Sequence, residues 1–71
     1  NSFNNATTLV LPDTKLSGDL FTFNLIGELV DHRVIVEQYT TIHRRALPAG
    51  MYVYQFVGRG GQVWVEKVIV E

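Results

Sequence analysis

The closing stretch from Leu47 to Glu71, LPAGMYVYQFVGRGGQVWVEKVIVE, constrains the fold more than any other part of this chain. Leu47-Pro48-Ala49-Gly50 reads as a turn that launches a strand over Met51 to Val57, and Gly58-Arg59-Gly60-Gly61 reverses the chain into a second strand over Gln62 to Val70. An isolated two-stranded hairpin is marginally stable in water, so the remaining residues have to supply the strands that cover it. The first of the two strands is apolar on both sides, with Tyr52, Tyr54 and Phe56 on one face and Met51, Val53 and Val57 around Gln55 on the other, which predicts a central place in a sheet. In the second, the apolar residues change parity, Val63 and Val65 before Glu66-Lys67 and Val68 and Val70 after it. That change predicts a β-bulge or a bend.

Upstream, Thr7 to Leu11 is a β-branched, apolar run stopped by Pro12-Asp13, and Lys15 to Gly18 is a loop. Leu20 to Leu25 follows as a strand with Phe21, Phe23 and Leu25 on one face. Asn24 to Gly27 forms its turn, with Gly27 in the positive-φ position. In the strand from Leu29 to Val36, the face with Val30, His32, Val34 and Val36 is expected to be mostly core, and the face with Leu29, Asp31, Arg33, Ile35 and Glu37 mixed. Glu37-Gln38 reverses into Tyr39 to His43, an edge strand whose end is charged by Arg44-Arg45. Asn1 to Asn5 is polar and expected to fray, leaving residues 6–71 as a single domain. No stretch carries a helical period or helix caps. Short strands at intervals of roughly 8–12 residues predict an all-β fold, a small antiparallel immunoglobulin-like β-sandwich of about six to seven strands.

A chain of 71 residues with no cysteine must hold one core together by packing alone, and its 46% hydrophobic and 18% charged residues suit a folded globule. A net charge of −1 with dispersed lysines and arginines makes no basic field, which excludes nucleic acid as a partner. No apolar run approaches the roughly 18 residues of a membrane-spanning helix, so no membrane insertion is expected. The chain begins with Asn1 rather than methionine and reads as a piece of a longer precursor.

Chemistry-bearing patterns are sparse. His32 and His43 have no partners at metal-ligand spacing, and Ser2 and Ser17 have no histidine at a triad spacing, so neither a metal, a cofactor nor an enzyme activity is expected. The glycines of Gly58 to Gly61 lead into a strand and not into a helix, which makes them a hairpin turn and not a phosphate loop. Asp13, Asp19 and Asp31 read as solvated carboxylates. Tyr39, Tyr52, Tyr54 and Trp64 are either a sugar-binding platform or, as is commoner in so small a chain, core and cross-strand packing.

Three pieces in order are similar to a known family. Phe21-Thr22-Phe23-Asn24-Leu25-Ile26-Gly27-Glu28-Leu29-Val30 resembles its strand, turn, glycine and Leu-Val pattern, and Tyr39-Thr40-Thr41-Ile42 its next strand. Leu47-Pro48-Ala49-Gly50-Met51-Tyr52, the glycine turn and the closing Lys67-Val68-Ile69-Val70-Glu71 resemble its closing motif. The family is the C-terminal sorting domain (type A) of proteins exported by the type IX secretion system of Bacteroidetes. The chain departs from it in lacking a Pro-Asn-Pro segment beside Asn4-Asn5, and in carrying His43-Arg44-Arg45-Ala46 where Asp-Leu-Ser-type residues are common.

The resemblance implies a non-catalytic address for a cargo domain placed upstream in the same precursor. The cargo is in the periplasm in transit and then on the cell surface or outside the cell. The implied partners are the outer-membrane translocon and a sortase-like peptidase that removes the domain. The residues it singles out are Gly27, Leu47, Pro48, Ala49, Gly50, Tyr52, Gly61, Lys67, Val68, Ile69, Val70 and Glu71. Each of the glycines also suits a turn, Pro48 stiffens one, and Tyr52 suits a core. The competing reading is an accessory β-sandwich that binds a glycan or a protein for a larger secreted enzyme, and an exposed edge strand leaves dimerisation open.

Overall fold

In the computed structural model, which describes residues 2–71, the chain is all β, with seven strands in two sheets. In chain order they are β1 (Ser2–Phe3), β2 (Ala6–Val10), β3 (Gly18–Phe23), β4 (Leu29–Ile35), β5 (Tyr39–His43), β6 (Gly50–Gly58) and β7 (Val63–Val70). The larger sheet runs β1-β7-β6-β3-β4 and the smaller pairs β2 with β5. Every pairing is antiparallel except the short parallel contact of β1 with β7. The closing hairpin lies where its pattern predicts. β6 has a partner on each side, and its Tyr52, Tyr54 and Phe56 are buried.

The two sheets enclose one core. Leu11 and Ile42 from around the small sheet meet Leu20, Ile35, Tyr52, Tyr54, Phe56, Val68 and Val70 of the large one, all 8% exposed or less, with Leu9, Leu16 and Leu47 packed at its margin. Gly18 sits where β3 comes closest to β6. A Cβ on it would clash with the Val57 carbonyl oxygen, so glycine is required by the approach of the two strands.

Four expectations change. Ser2–Phe3 does not fray: it pairs with Ile69 and Val70, and Phe3 is buried. The expected fray at Asn1 lies outside the described residues. The register of β7 against β6 runs without a break from Val63 to Val70, so there is no bulge at Glu66-Lys67. The irregularity lies in the β3/β4 ladder instead, where Thr22 opposes Asp31 and Phe23 opposes Leu29, making Val30 the extra residue.

The inward face of β4 is Asp31, Arg33 and Ile35, whereas Val30, Val34 and Val36 are exposed. On β3, likewise, Gly18, Leu20 and Thr22 face the core, Phe21 and Phe23 share the outer face, and Leu25 lies exposed in the turn. The outer face of the large sheet is therefore more apolar than its strand periodicities suggested. Alternation alone does not say which side the second sheet covers.

Candidate functional site

The strand registers decide which of the singled-out residues lie together. Gly50 opposes Val70 and Tyr52 opposes Val68, so the Leu47-to-Gly50 turn and the end of β7 form one end of the sandwich. The β3/β4 turn lies at the same end, because Phe23 opposes Val53 and the chain then runs on toward the start of β6. Gly61 lies at the other end, past Gly58, about 26 Å away at ~3.3 Å per strand residue. The fold thus brings together Gly27, Leu47 to Gly50, Tyr52 and the terminal strand, and separates Gly61 from them.

Each part of this end has a local cause. Tyr52 is buried, and its hydroxyl donates to the Pro48 carbonyl at 2.6 Å, which ties the turn to the strand it launches. Leu47 packs on the core margin, while Pro48 and Ala49 are exposed. In the β3/β4 turn, the Asn24 side-chain oxygen accepts from the backbone N–H groups of Ile26 (3.2 Å) and Glu28 (2.9 Å), and its amide nitrogen donates to the Glu28 carboxylate at 2.8 Å. Gly27 has φ 88 and Gly61 φ 93, both in the left-handed region that favours glycine. The tip of the Asn24 turn exposes Leu25 and Ile26, at 66% and 80%.

Alternation divides the terminal residues into two groups. Val68 and Val70 belong to the core, and Lys67 and Ile69 point outward on a straight strand. Glu71 donates its N–H to Phe3 at 2.9 Å and offers its own carbonyl to Arg44 at 2.8 Å.

Arg44, read from the sequence as part of a charged edge, is the clasp of this end. Its Nε donates to the Leu47 carbonyl at 2.9 Å, its Nη1 reaches the carbonyls of Asn4 (3.2 Å) and Glu71, and its backbone N–H donates to Asn5 at 2.8 Å. One guanidinium thereby joins the turn, the first strand and the last. Its acceptors are all backbone carbonyls, so no side-chain pattern in the sequence marks them.

The other candidates fall elsewhere. Asp31 is not a solvated carboxylate: its side chain is 13% exposed and holds Arg33 Nε at 2.9 Å and Arg45 Nη1 at 3.0 Å, while Arg33 also donates to the His43 carbonyl. The spacing of Asp31 and Arg33, two apart in one strand, was the signal that could have revealed the pair. Asp19 lies 2.8 Å from His32 Nε2 and 3.5 Å from Arg59, and His32 stacks on Phe21 at 4.9 Å.

Tyr39, Tyr52, Tyr54 and Trp64 do not form a platform. Tyr52 and Tyr54 are core, Tyr39 lies exposed on β5 of the smaller sheet, and Trp64 stacks on Phe56 at 5.3 Å. Burial pushes the Tyr54 phenol above its ordinary value; Asp31 and Glu66 act in the same sense and Arg33 against it. No family model, no curated protein and no solved structure matches the chain.

Proposed function

We propose that this domain is a non-catalytic sorting signal that directs a cargo attached upstream through the outer-membrane translocon of a type IX secretion system. In this reading a sortase-like peptidase then removes the domain and the cargo stays at the cell surface or leaves the cell. The sequence resemblance suggests the system. The single structural observation that supports it is that two parts of the closing motif, Leu47 to Tyr52 and Lys67 to Glu71, share one end of the sandwich, on a backbone held by Tyr52, Pro48 and Arg44, while the glycine turn lies at the other end. A recogniser meets there the exposed Pro48, Ala49, Ile69 and Glu71, with Lys67 two residues along β7 and the Leu25-Ile26 tip on the neighbouring turn. Such recognition works by shape and main-chain hydrogen bonds, and needs no reactive group.

The test is a fluorescent reporter with an inner-membrane export signal, fused ahead of residues 1–71, in a bacterium with a working type IX system and in its translocon mutant. The expected result is surface or secreted reporter only in the working strain, with Lys67→Glu lowering export severalfold while leaving the melting temperature within about 2–4 °C. Reporter that stays periplasmic in both strains overturns the reading. Deleting residues 67–71 is a poorer test, because it also removes Val68 and Val70 from the core.

A second reading, an accessory binding module of a larger secreted enzyme, draws support from one further feature. An apolar groove opens along one flank of the sandwich.

A further inference from the structure

The large sheet turns one face to the core, and the side chains that alternate with the core residues form its outer face. That face is mostly apolar. Phe21, Phe23, Val53 and Val57 are partly exposed on it, and Val63 and Val65 stand 52% and 63% exposed. Between them lie Asp19, His32, Gln55 and Lys67. Asp19 already holds His32 on one carboxylate oxygen at 2.8 Å and Arg59 near the other at 3.5 Å. Among the described residues, the side chains of Gln55 and Lys67 have no hydrogen-bond or ion-pair partner.

The strand registers fix how these groups are spaced. Gln55 of β6 stands opposite Phe21 of β3 and Val65 of β7. Lys67 stands opposite Val53, one strand away on the β7 side, and Asp19 opposite Val57, one strand away on the β3 side. Strands are about 4.8 Å apart and same-face residues about 6.7 Å apart, so Lys67 and Asp19 each lie about 8 Å from Gln55, on opposite sides of it. Gln55 is the midpoint between a cation and a carboxylate.

We propose that this face binds a second copy of the chain, about a two-fold axis that lies in the interface, passes over Gln55 and is perpendicular to the diagonal from Lys67 to Asp19. Such an axis sets Lys67 of each copy over Asp19 of the other, whose carboxylate has lone pairs for a further donor. It also sets Gln55 over its own counterpart, where each amide can donate and accept. The same rotation brings Val53 toward Phe21 and Val57 toward Val65, and crosses the strands of the two sheets at about 70°, near the orthogonal class of sheet packing.

A wholly apolar partner would strip water from Lys67 and Gln55 and offer neither a hydrogen bond. A second copy brings a carboxylate to one and an amide to the other. Four strands over a length of about 20 Å give a footprint of about 400 Å² per copy. That is half of the roughly 800 Å² that a stable interface buries on each side, so the pair is weak and concentration-dependent. The inference does not rest on the sorting reading, because it concerns association of the chain with itself.

Sedimentation equilibrium of the 71-residue chain, from about 10 µM to about 1 mM, tests the pair. The expected result is a dimer with a Kd on the order of 0.1 mM, weakened about tenfold or more by Lys67→Glu alone and by Asp19→Lys alone. An equimolar mixture of the two variants should dimerise at least as well as the parent, because both contacts of the mixed pair then join opposite charges. If Asp19→Lys does not fold, Gln55→Glu takes its place: it sets two carboxylates against each other on the axis and should weaken the dimer likewise. A parent that stays monomeric throughout the range overturns the proposal. So do folded single variants that associate like the parent, and a mixture that stays monomeric.

Discussion

Arg44 is the residue on which both ends of the described chain converge. Its guanidinium donates to three backbone carbonyls, those of Leu47, Asn4 and Glu71, which belong to segments otherwise far apart in sequence. Replacing it by alanine removes three charge-assisted hydrogen bonds but leaves carbonyls that water can reach, so the loss corresponds to one or two net bonds and not to three. Arg44→Ala is expected to destabilise by about 1–3 kcal/mol, which a thermal melt reads as a fall of about 4–8 °C per kcal/mol for a domain of this size. Arg44→Lys should recover only part of it, because a point-like ammonium cannot span the directions that a planar guanidinium reaches. An unchanged melting temperature in Arg44→Ala would show that the clasp does not hold the end together. That role was not legible in the sequence, since a carbonyl acceptor has no letter of its own. The pair of Asp31 and Arg33 was legible in principle, as two opposite charges on one face of one strand. The opposite face, with Val30, Val34 and Val36, is the more apolar of the two, yet it is the exposed one, so apolarity alone points to the wrong side of the strand.

β7 shows how the same limitation operates at the level of an element. Its existence, its partner β6 and the turn between them follow from the alternation and the glycines, whereas the expected bulge does not occur. The apparent change of parity arises because Val63 and Val65 lie on the outer face while Val68 and Val70 lie on the inner one. The inward positions before them are taken by Trp64 and Glu66, which stay exposed and line a groove with Leu9 and Val10 of β2. A single periodicity test assumes that a strand is covered along its whole length. Neighbouring residues of this strand should therefore respond very differently to truncation. Val68→Ala, at a site 1% exposed, is expected to cost about 2–3 kcal/mol through lost burial and the cavity left behind. Ile69→Ala, at 41% exposed on the outer face, should cost less than about 1 kcal/mol. Urea denaturation of the two variants checks the pair, and similar losses would mean that the face assignment of β7 is wrong.

The whole molecule is an unequal sandwich, five strands against two, and the imbalance explains both what it exposes and what it protects. Tyr54 is buried, at 8% exposure, on the inner face of the larger sheet, where it also lines the groove beside β2. On the inner face, Tyr54 stands opposite Thr22 on one side and Glu66 on the other, with Asp31 one strand further along the same row. Burial opposes ionisation of the phenol, the carboxylates of Asp31 and Glu66 oppose it further, and Arg33 favours it less than the others oppose it, so the folded state holds the proton more tightly than the unfolded chain. The sign of the pH dependence follows. Below the unfolded value near 10, both states keep the proton and Tyr54 contributes no slope; above it, the unfolded chain loses the proton first and stability falls as pH rises toward the higher folded value. The slope from this one group cannot exceed about 1.4 kcal/mol per pH unit. Other groups titrate in the same range, so the quantity to measure is the difference between the parent and Tyr54→Phe in denaturant midpoints from pH 8 to 11. The parent should lose stability relative to the variant once pH passes about 10, and parallel curves would mean that the phenol ionises as readily in the folded sandwich as in the open chain.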